Sequence, residues 1–284
     1  MHEAQQHKRT AFITLTYRDQ TLPWADERLR TQRSSALAAR SLEQHAVDKS
    51  RTRETRTHEG LHASLHKPDL TGFTTRLNQH AIRKFGKGVK YFACGEYGDT
   101  THRPHYHIAV YGEDFSDDRK RWKRSNGHQL WRSSRLHELW PHGDADIGDL
   151  TFESAAYIAR YLLKKQTGPK ALNHYKRQDE RGNTHELVPE FNVMSRRPGL
   201  AREWFLENYN DVVAYDHVIS RGNPAKPPRY YDKLLEALAP YEHAQMKQRR
   251  ENAPRNEEDN TPQRLAVRET VALAKLDTLK RSLE

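Results

Sequence analysis

The order of elements read along the chain predicts an α+β fold built around antiparallel strands. Three observations carry this. The stretch KYFACGEYGDTTHRPHYHIAVYG, Lys90 to Gly112, has apolar runs at Tyr91–Cys94 and Ile108–Tyr111. A segment rich in Gly, Asp, Thr and Pro separates them, the pattern of two antiparallel strands joined by a loop. Ala11–Tyr17, AFITLTY, is strand by content, and its apolar side chains fall on both faces, as in a central buried strand. Asp69–Phe85 and Phe152–Lys165 instead space their apolar residues as amphipathic helices do.

Taken in order, residues 2–9 are polar and read as the tail of a helix. The strand Ala11–Tyr17 follows, and Pro23 ends the next turn. Ala25 to His66 has many Arg, Ser, Thr, Glu and His and no strong apolar stripe. It reads as an insertion or mobile arm, with a loose surface helix around Glu27–Val47. In Asp69–Phe85, Leu70, Phe73, Leu77, Ile82 and Phe85 mark the buried side of a helix that tolerates Gly72 and stops at Gly86 and Gly88. The hairpin comes next. Asp117–Trp140 mixes Arg119, Lys120, Arg121, Lys123, Arg124, Arg132 and Arg135 with Trp122, Trp131 and Trp140. Cations hold phosphates and indoles stack on unpaired bases. Equally, the tryptophans could be core and the cations their solvated rim.

Asp144–Gly148 is a short candidate strand, and Thr151 with Glu153 opens the helix Phe152–Lys165. Gln166–Pro189 is polar and turn-rich. Glu190–Tyr209 gathers Met194, Trp204, Phe205 and Leu206 around SRRPG at 195–199, and Val212–Ile219 reads as another strand. PPRYYDKLL at 227–235 is a basic aromatic turn leading into a helix. Tyr241–Glu284 is highly charged, partly helical and peripheral.

Composition narrows the function. The 284 residues suffice for one large domain or two small ones, and 35% hydrophobic against 30% charged leaves a lean core. No apolar run approaches the length of a membrane span, and the N-terminus does not read as a secretory signal. The single cysteine, Cys94, excludes an internal disulfide and a cysteine-cage metal site, and fits a reducing compartment. A net charge of +10 with 13 Tyr and 5 Trp points to a polyanionic partner, of which nucleic acid is the commonest.

Two groups of residues carry candidate chemistry. His105 and His107 are two apart at the start of a strand, so both imidazoles point to one face. The hairpin returns Glu96 beside them, and two imidazoles with a carboxylate suit a divalent metal. In the helix FESAAYIARYLLKK, Tyr157 and Tyr161 are four apart and share a face. Arg160 lies three beyond Tyr157 and Lys164 three beyond Tyr161, so each phenol has a cation one turn away. Ala156, Ile158, Leu162 and Leu163 form a separate stripe expected to be buried. The competing account is an amphipathic helix whose tyrosines merely pack.

FITLTY, HYHIAV and YxxxYxxKK in this order resemble the HUH endonucleases that initiate rolling-circle replication. The closer resemblance is to the replication initiators of microviruses, in particular the gokushovirus-like branch. It rests on FITLTYRDQTLP at 12–23, YFACGEYGDTTHRPHYH at 91–107, AAYIARYLLKK at 155–165, MSRRPG at 194–199 with EWF at 203–205, and PPRYYDKL at 227–234. Members usually carry a cysteine-containing stretch before the segment at which this chain begins, which points to a longer reading frame. Residues 25–66 also exceed the usual link after the first motif.

The resemblance implies an α+β, HUH/Rep-type fold: a central antiparallel sheet with a ferredoxin-like or RRM-like core and helices mainly on one face. It implies an endonuclease domain at 1–235 and a charged tail at 236–284. It makes His105 and His107 ligands of Mg²⁺ or Mn²⁺, with Glu96 the third ligand or Asp99 in its place. Tyr157 and Tyr161 become nucleophiles that form a 5′-phosphotyrosine, and Lys164, with Arg160 or Lys165, a holder of phosphate or phenolate charge. Its partners would be single-stranded DNA, the viral replication origin, and a host helicase and polymerase in the bacterial cytoplasm. The sequence holds no GxxxxGK[ST] phosphate loop, which argues against an attached P-loop helicase module. A basic single-strand-binding or packaging protein on the same fold, and an HUH relaxase or transposase, are the competing readings.

Overall fold

The structure, a computed structural model, describes residues 1–23, 63–125, 127–164, 168–178, 182–253 and 257–278. The elements are α1 (His2–Gln5), β1 (Thr10–Thr16), α2 (Lys67–Phe85), β2 (Lys90–Tyr97), β3 (Pro104–Tyr111), β4 (Lys120–Ser125), β5 (His128–Arg132), α3 (Ser134–Leu139), β6 (Ala145–Gly148) and α4 (Phe152–Lys164). They continue with α5 (Pro169–His174), β7 (Lys176–Gln178), β8 (Thr184–Glu186), β9 (Phe191–Met194), α6 (Arg202–Glu207) and α7 (Tyr209–Tyr215). The last are β10 (Val218–Ser220), β11 (Asn223–Ala225), α8 (Arg229–Leu238), α9 (Pro240–Asn252) and α10 (Pro262–Asp277). No helix among the described residues is long and apolar enough to cross a membrane.

The fold is α+β, and its centre is a seven-stranded sheet in the order β4-β5-β6-β1-β3-β2-β9. Each neighbouring pair is antiparallel. β3 lies between β1 and β2, and all eight of its residues are buried. β1 is central too, as apolar residues on both its faces led us to expect. The register sets which side chains share a face. Thr14 pairs with His107 and Thr16 with His105 across β1–β3, and Glu96 pairs with His105 across β2–β3.

The opposite face carries the core. Ile13 and Leu15 of β1, Ile108 and Val110 of β3 and Ala93 of β2 pack with Leu70, Phe73, Leu77 and Ala81 of α2 and with Trp140. The hydroxyls of Tyr17 and Tyr106 meet at 2.9 Å, and Tyr17 also donates to Asp69 at 2.8 Å. Tyr106 further donates to the His66 carbonyl at 2.9 Å, so this buried network ties the start of α2 to the sheet. Gly86 ends α2 in the left-handed region, at φ 70°, and its N–H returns to the Ile82 carbonyl. α4 contacts β2, β3 and β9 through the other sheet face. Helices therefore cover both faces rather than mainly one.

Most of the expected arm at Ala25–His66 lies outside the described residues. Its last residues do not behave as a solvated excursion: Ala63, Ser64 and Leu65 are buried. The Ser64 N–H donates to the Pro23 carbonyl at 2.8 Å. The chain thus leaves and re-enters the fold at one place, which is how an insertion is accommodated.

By contact, the chain divides into Met1 with His7–Leu200, and His2–Gln6 with Ala201–Glu284. The boundary falls at Leu200 rather than at 235. In the second unit Phe205, Val212, Val218, Tyr231, Leu235 and Met246 form a separate core. His2 stacks on Trp204 there, with ring centroids 3.7 Å apart. Val212–Ile219, expected as one strand, is mostly α7. Asp216 ends that helix in the left-handed region, and β10 begins only at Val218. Val212 is buried among helices, so tertiary packing overrides its strand propensity.

Candidate metal centre and tyrosine helix

Glu96, His105 and His107 are brought together on the sheet face beneath α4. All three are buried, and one ligating atom from each lies within 4.8 Å of the others. Glu96 Oε1 is 2.6 Å from His105 Nε2 and 2.8 Å from His107 Nε2. Asp99, the alternative third ligand, is exposed in the following turn and does not join the group.

The far side of each imidazole is also fixed. His105 Nδ1 lies 3.1 Å from the Arg103 carbonyl, which can only accept, so Nδ1 carries the hydrogen. His107 Nδ1 lies 3.0 Å from the Thr14 hydroxyl. In neutral His105 the Nε2 lone pair then faces a carboxylate oxygen at 2.6 Å. Two acceptors that close need a cation between them, either a proton or a metal ion. Glu96 Oε2 is buried with no hydrogen-bond partner among the described residues, leaving this carboxylate an unused acceptor. Ligands about 2.1 Å from a six-coordinate ion sit roughly 3 Å apart, close to the spacings here. The donor set and its outer partners fit a divalent metal held by Nε2, Nε2 and carboxylate oxygen. Burial alone would raise the Glu96 carboxyl, but its hydrogen bonds and charge contacts with His105 and His107 prevail and hold it down at about 2.

α4 sets a phenol at this cluster. Thr151 and Ser154 brace its start reciprocally: the Thr151 N–H donates to Ser154 Oγ at 2.8 Å and the Ser154 N–H to Thr151 Oγ1 at 3.2 Å. Ser154, Tyr157 and Ile158 form the buried side of the helix. Tyr157 is thus not on a stripe separate from the buried one. Its hydroxyl lies 3.5 Å from Glu96 Oε1, and its ring meets His107 edge-on at 5.2 Å. Phe12 closes the other side, 5.3 Å from the His107 ring and 6.4 Å from that of Tyr157. Tyr161 and Lys164 lie in the last turn of α4, but their side chains are outside those described, as is Lys165.

Sequence reasoning missed Thr14, Phe12 and the Arg103 carbonyl. The signal for Thr14 and Phe12 was strand parity: both alternate with the core-facing Ile13 and Leu15. Using it required the β1–β3 register, which the strand text alone does not fix. The basic aromatic stretch 117–140 divides. Trp140 is fully buried core, whereas Trp122 is 53% exposed on β4. The hairpin of β4 and β5 itself was not foreseen, because a strand exposed on both faces has no apolar alternation to betray it.

Two imidazoles and a carboxylate on an antiparallel sheet, faced by a tyrosine helix, define the class of site. The family model for the ORF2-type replication-associated protein matches residues 10–166, which hold all of this cluster, and the chain belongs to that family. It is similar to replication-associated protein VP4 of Bdellovibrio phage phiMH2K, 30% identical over 57% of this chain and 50% of that protein. It is also similar to replication-associated protein ORF2 of Spiroplasma virus 4, 33% identical over 59% of this chain and 49% of that protein. A third relative, replication-associated protein ORF4 of Chlamydia phage 1, is 28% identical over 58% of this chain and 40% of that protein. These phage proteins bear out the resemblance to microvirus replication proteins. The chain spans about half the length, or less, of these curated relatives. No solved structure matches it.

Proposed function

We propose that this chain initiates phage DNA replication by nicking and rejoining single-stranded DNA at the viral origin. The observation that carries this reading is the convergence of His105 Nε2, His107 Nε2 and the Tyr157 hydroxyl on Glu96 Oε1. The relatives' names, replication-associated proteins of phages, agree with it.

His105, His107 and Glu96 would hold Mg²⁺ or Mn²⁺. Such an ion supplies charge neutralisation at a non-bridging phosphate oxygen and orients the phosphate for in-line attack. The remaining work belongs to the chain. The Tyr157 oxygen attacks phosphorus, forming the Tyr–O–P bond as the bond from phosphorus to the 3′-oxygen breaks. The departing 3′-oxygen takes up a proton and becomes a hydroxyl that can prime synthesis, while the 5′-phosphate stays on the tyrosine. Phe12 and the edge of His107 pack the Tyr157 ring and limit its swing. Tyr161, one turn on, serves the second transesterification, and Lys164 neutralises phosphate charge. The phosphotyrosine conserves the phosphodiester energy, so rejoining needs no nucleotide.

The test is a covalent-adduct assay with labelled viral-strand DNA and Mn²⁺ or Mg²⁺ on a denaturing gel. A labelled protein band should appear with metal and vanish in His105→Ala/His107→Ala and in Tyr157→Phe/Tyr161→Phe. DNA binding without any adduct across the whole viral strand would instead favour a binding or packaging role.

A further inference from the structure

Trp122 is 53% exposed, and the guanidinium of Arg132 lies 4.2 Å from its ring centroid. Arg132 is itself held: its Nε is 2.7 Å from Asp146 Oδ1, and its Nη1 is 3.5 Å from Asp144. One indole face is therefore backed by a fixed cation, and the exposure belongs to the rest of the ring. Around it, Lys120, Arg121, Lys123 and Arg124 are exposed and pair with no carboxylate among the described residues. A groove of about 510 Å³ opens beside the indole, lined by Lys120, Arg121, Arg132 and His137 among others. The acids that also line it are already engaged. Asp118 accepts from Ser133 Oγ at 2.6 Å and from the Arg135 N–H at 2.9 Å, and Glu138 pairs with Arg135 at 2.7 Å.

Register places this platform on the same sheet face as the metal-ligand cluster. Trp131 pairs with Ile147, which sets Arg132 beside Asp146; Asp146 pairs with Thr14, and Thr14 with His107. Neighbours directly across an antiparallel pair share a face. Thr14, Thr16 and Asp146 between the two places are only half-buried. From β3 to β4 is four strand spacings, about 19 Å at about 4.8 Å each. That is a span of several nucleotides of an extended strand.

We propose that Trp122, backed by Arg132, is a base-stacking platform for single-stranded DNA, with Lys120, Arg121, Lys123 and Arg124 following its phosphates. This deepens the nicking assignment, since a strand held there would cross the sheet face to the Glu96–His105–His107 cluster. An exposed indole among unpaired cations fits unpaired bases better than a duplex, whose bases offer no free face. Stacking also gives the hold without sequence preference.

The test is equilibrium binding by fluorescence anisotropy, with a labelled single strand of about 20 nucleotides, full chain, and chelator present so that cleavage cannot intervene. Trp122→Ala should weaken binding roughly 5- to 100-fold, and Trp122→Phe should restore most of it. The exposed position makes misfolding a poor explanation for any loss. Unchanged affinity in Trp122→Ala overturns the platform. So does a matched duplex that binds more tightly than the single strand and loses the same factor in Trp122→Ala. If this binding pattern holds while the wild type forms no tyrosine adduct with metal, the platform stands and the nicking assignment falls.

Discussion

The Tyr157 hydroxyl lies 3.5 Å from Glu96 Oε1, although the two residues are 61 apart in the chain and on different elements. The distance is too long for a strong hydrogen bond, so the phenol is held at the cluster by its ring packing more than by its oxygen. Tyr157→Phe keeps that packing with Phe12 and His107. It should leave folding and metal binding intact and reduce the first covalent adduct by at least about 100-fold. Quantifying the labelled adduct over time in Tyr157→Phe and Tyr161→Phe checks this. Equal loss in both variants would mean that burial of Tyr157 does not mark it as the first nucleophile.

Thr14 should matter through His107. Its hydroxyl is 3.0 Å from His107 Nδ1, the ring nitrogen that faces away from Glu96. Thr14→Val keeps the β-branched shape in the strand and removes this partner. Loss of such an outer contact typically costs about 10- to 100-fold in metal affinity. Calorimetric titration with Mn²⁺ should show that loss in Thr14→Val with little change in the unfolding midpoint. An unaltered affinity would mean that the imidazole is oriented by its ring neighbours alone.

The site was legible where local periodicity sufficed. His105 and His107 follow from the period of two, and Tyr157 from the period of a helix. Glu96 followed from a hairpin whose two strands could be seen in the apolar runs. Thr14 and Phe12 were not legible, because their place depends on pairing between strands about 93 residues apart in sequence. For the fold, α2 and the central strands announce themselves by apolar content. β4 and β9, at the two edges of the sheet, do not. β4 is exposed along nearly all its length, and only Phe191 of β9 is buried, so neither has enough buried apolar side chains to set a pattern. In α7, Val212 and Val213 favour a strand by propensity, but burial within the second unit decided otherwise.

Acid should weaken the fold through Glu96. Its carboxyl ordinarily titrates near 4.5 and is held at about 2 in the native site. The native state therefore binds fewer protons than the unfolded chain between those values. The stabilisation is complete above about pH 4.5 and is lost as pH falls through 2. In the presence of chelator, urea midpoints of the wild type should fall more steeply from about pH 5 to about pH 3 than those of Glu96→Gln, which lacks the ionisable group. Parallel slopes would show that the two imidazoles do not hold the carboxyl down in the metal-free protein.

The tryptophans of the 117–140 stretch should respond in opposite ways. Trp140 is fully buried against Tyr17, Phe73 and Tyr106, and its Nε1–H donates to the Thr16 carbonyl at 2.9 Å. Trp140→Ala removes a large side chain from the contact between α2 and the sheet, and should cost about 3–5 kcal/mol. Trp140→Phe retains part of the packing but leaves the Thr16 carbonyl without its indole donor, at a cost of about 1–3 kcal/mol. Trp122→Ala, on the exposed edge strand, should stay within about 0.5 kcal/mol. Urea unfolding of the three variants ranks them, and DNA affinity should rank them the other way, with Trp122→Ala the most affected. Comparable destabilisation by Trp122→Ala would mean that the β4–β5 hairpin supports the sheet, and its loss of DNA binding could then not be read as lost stacking.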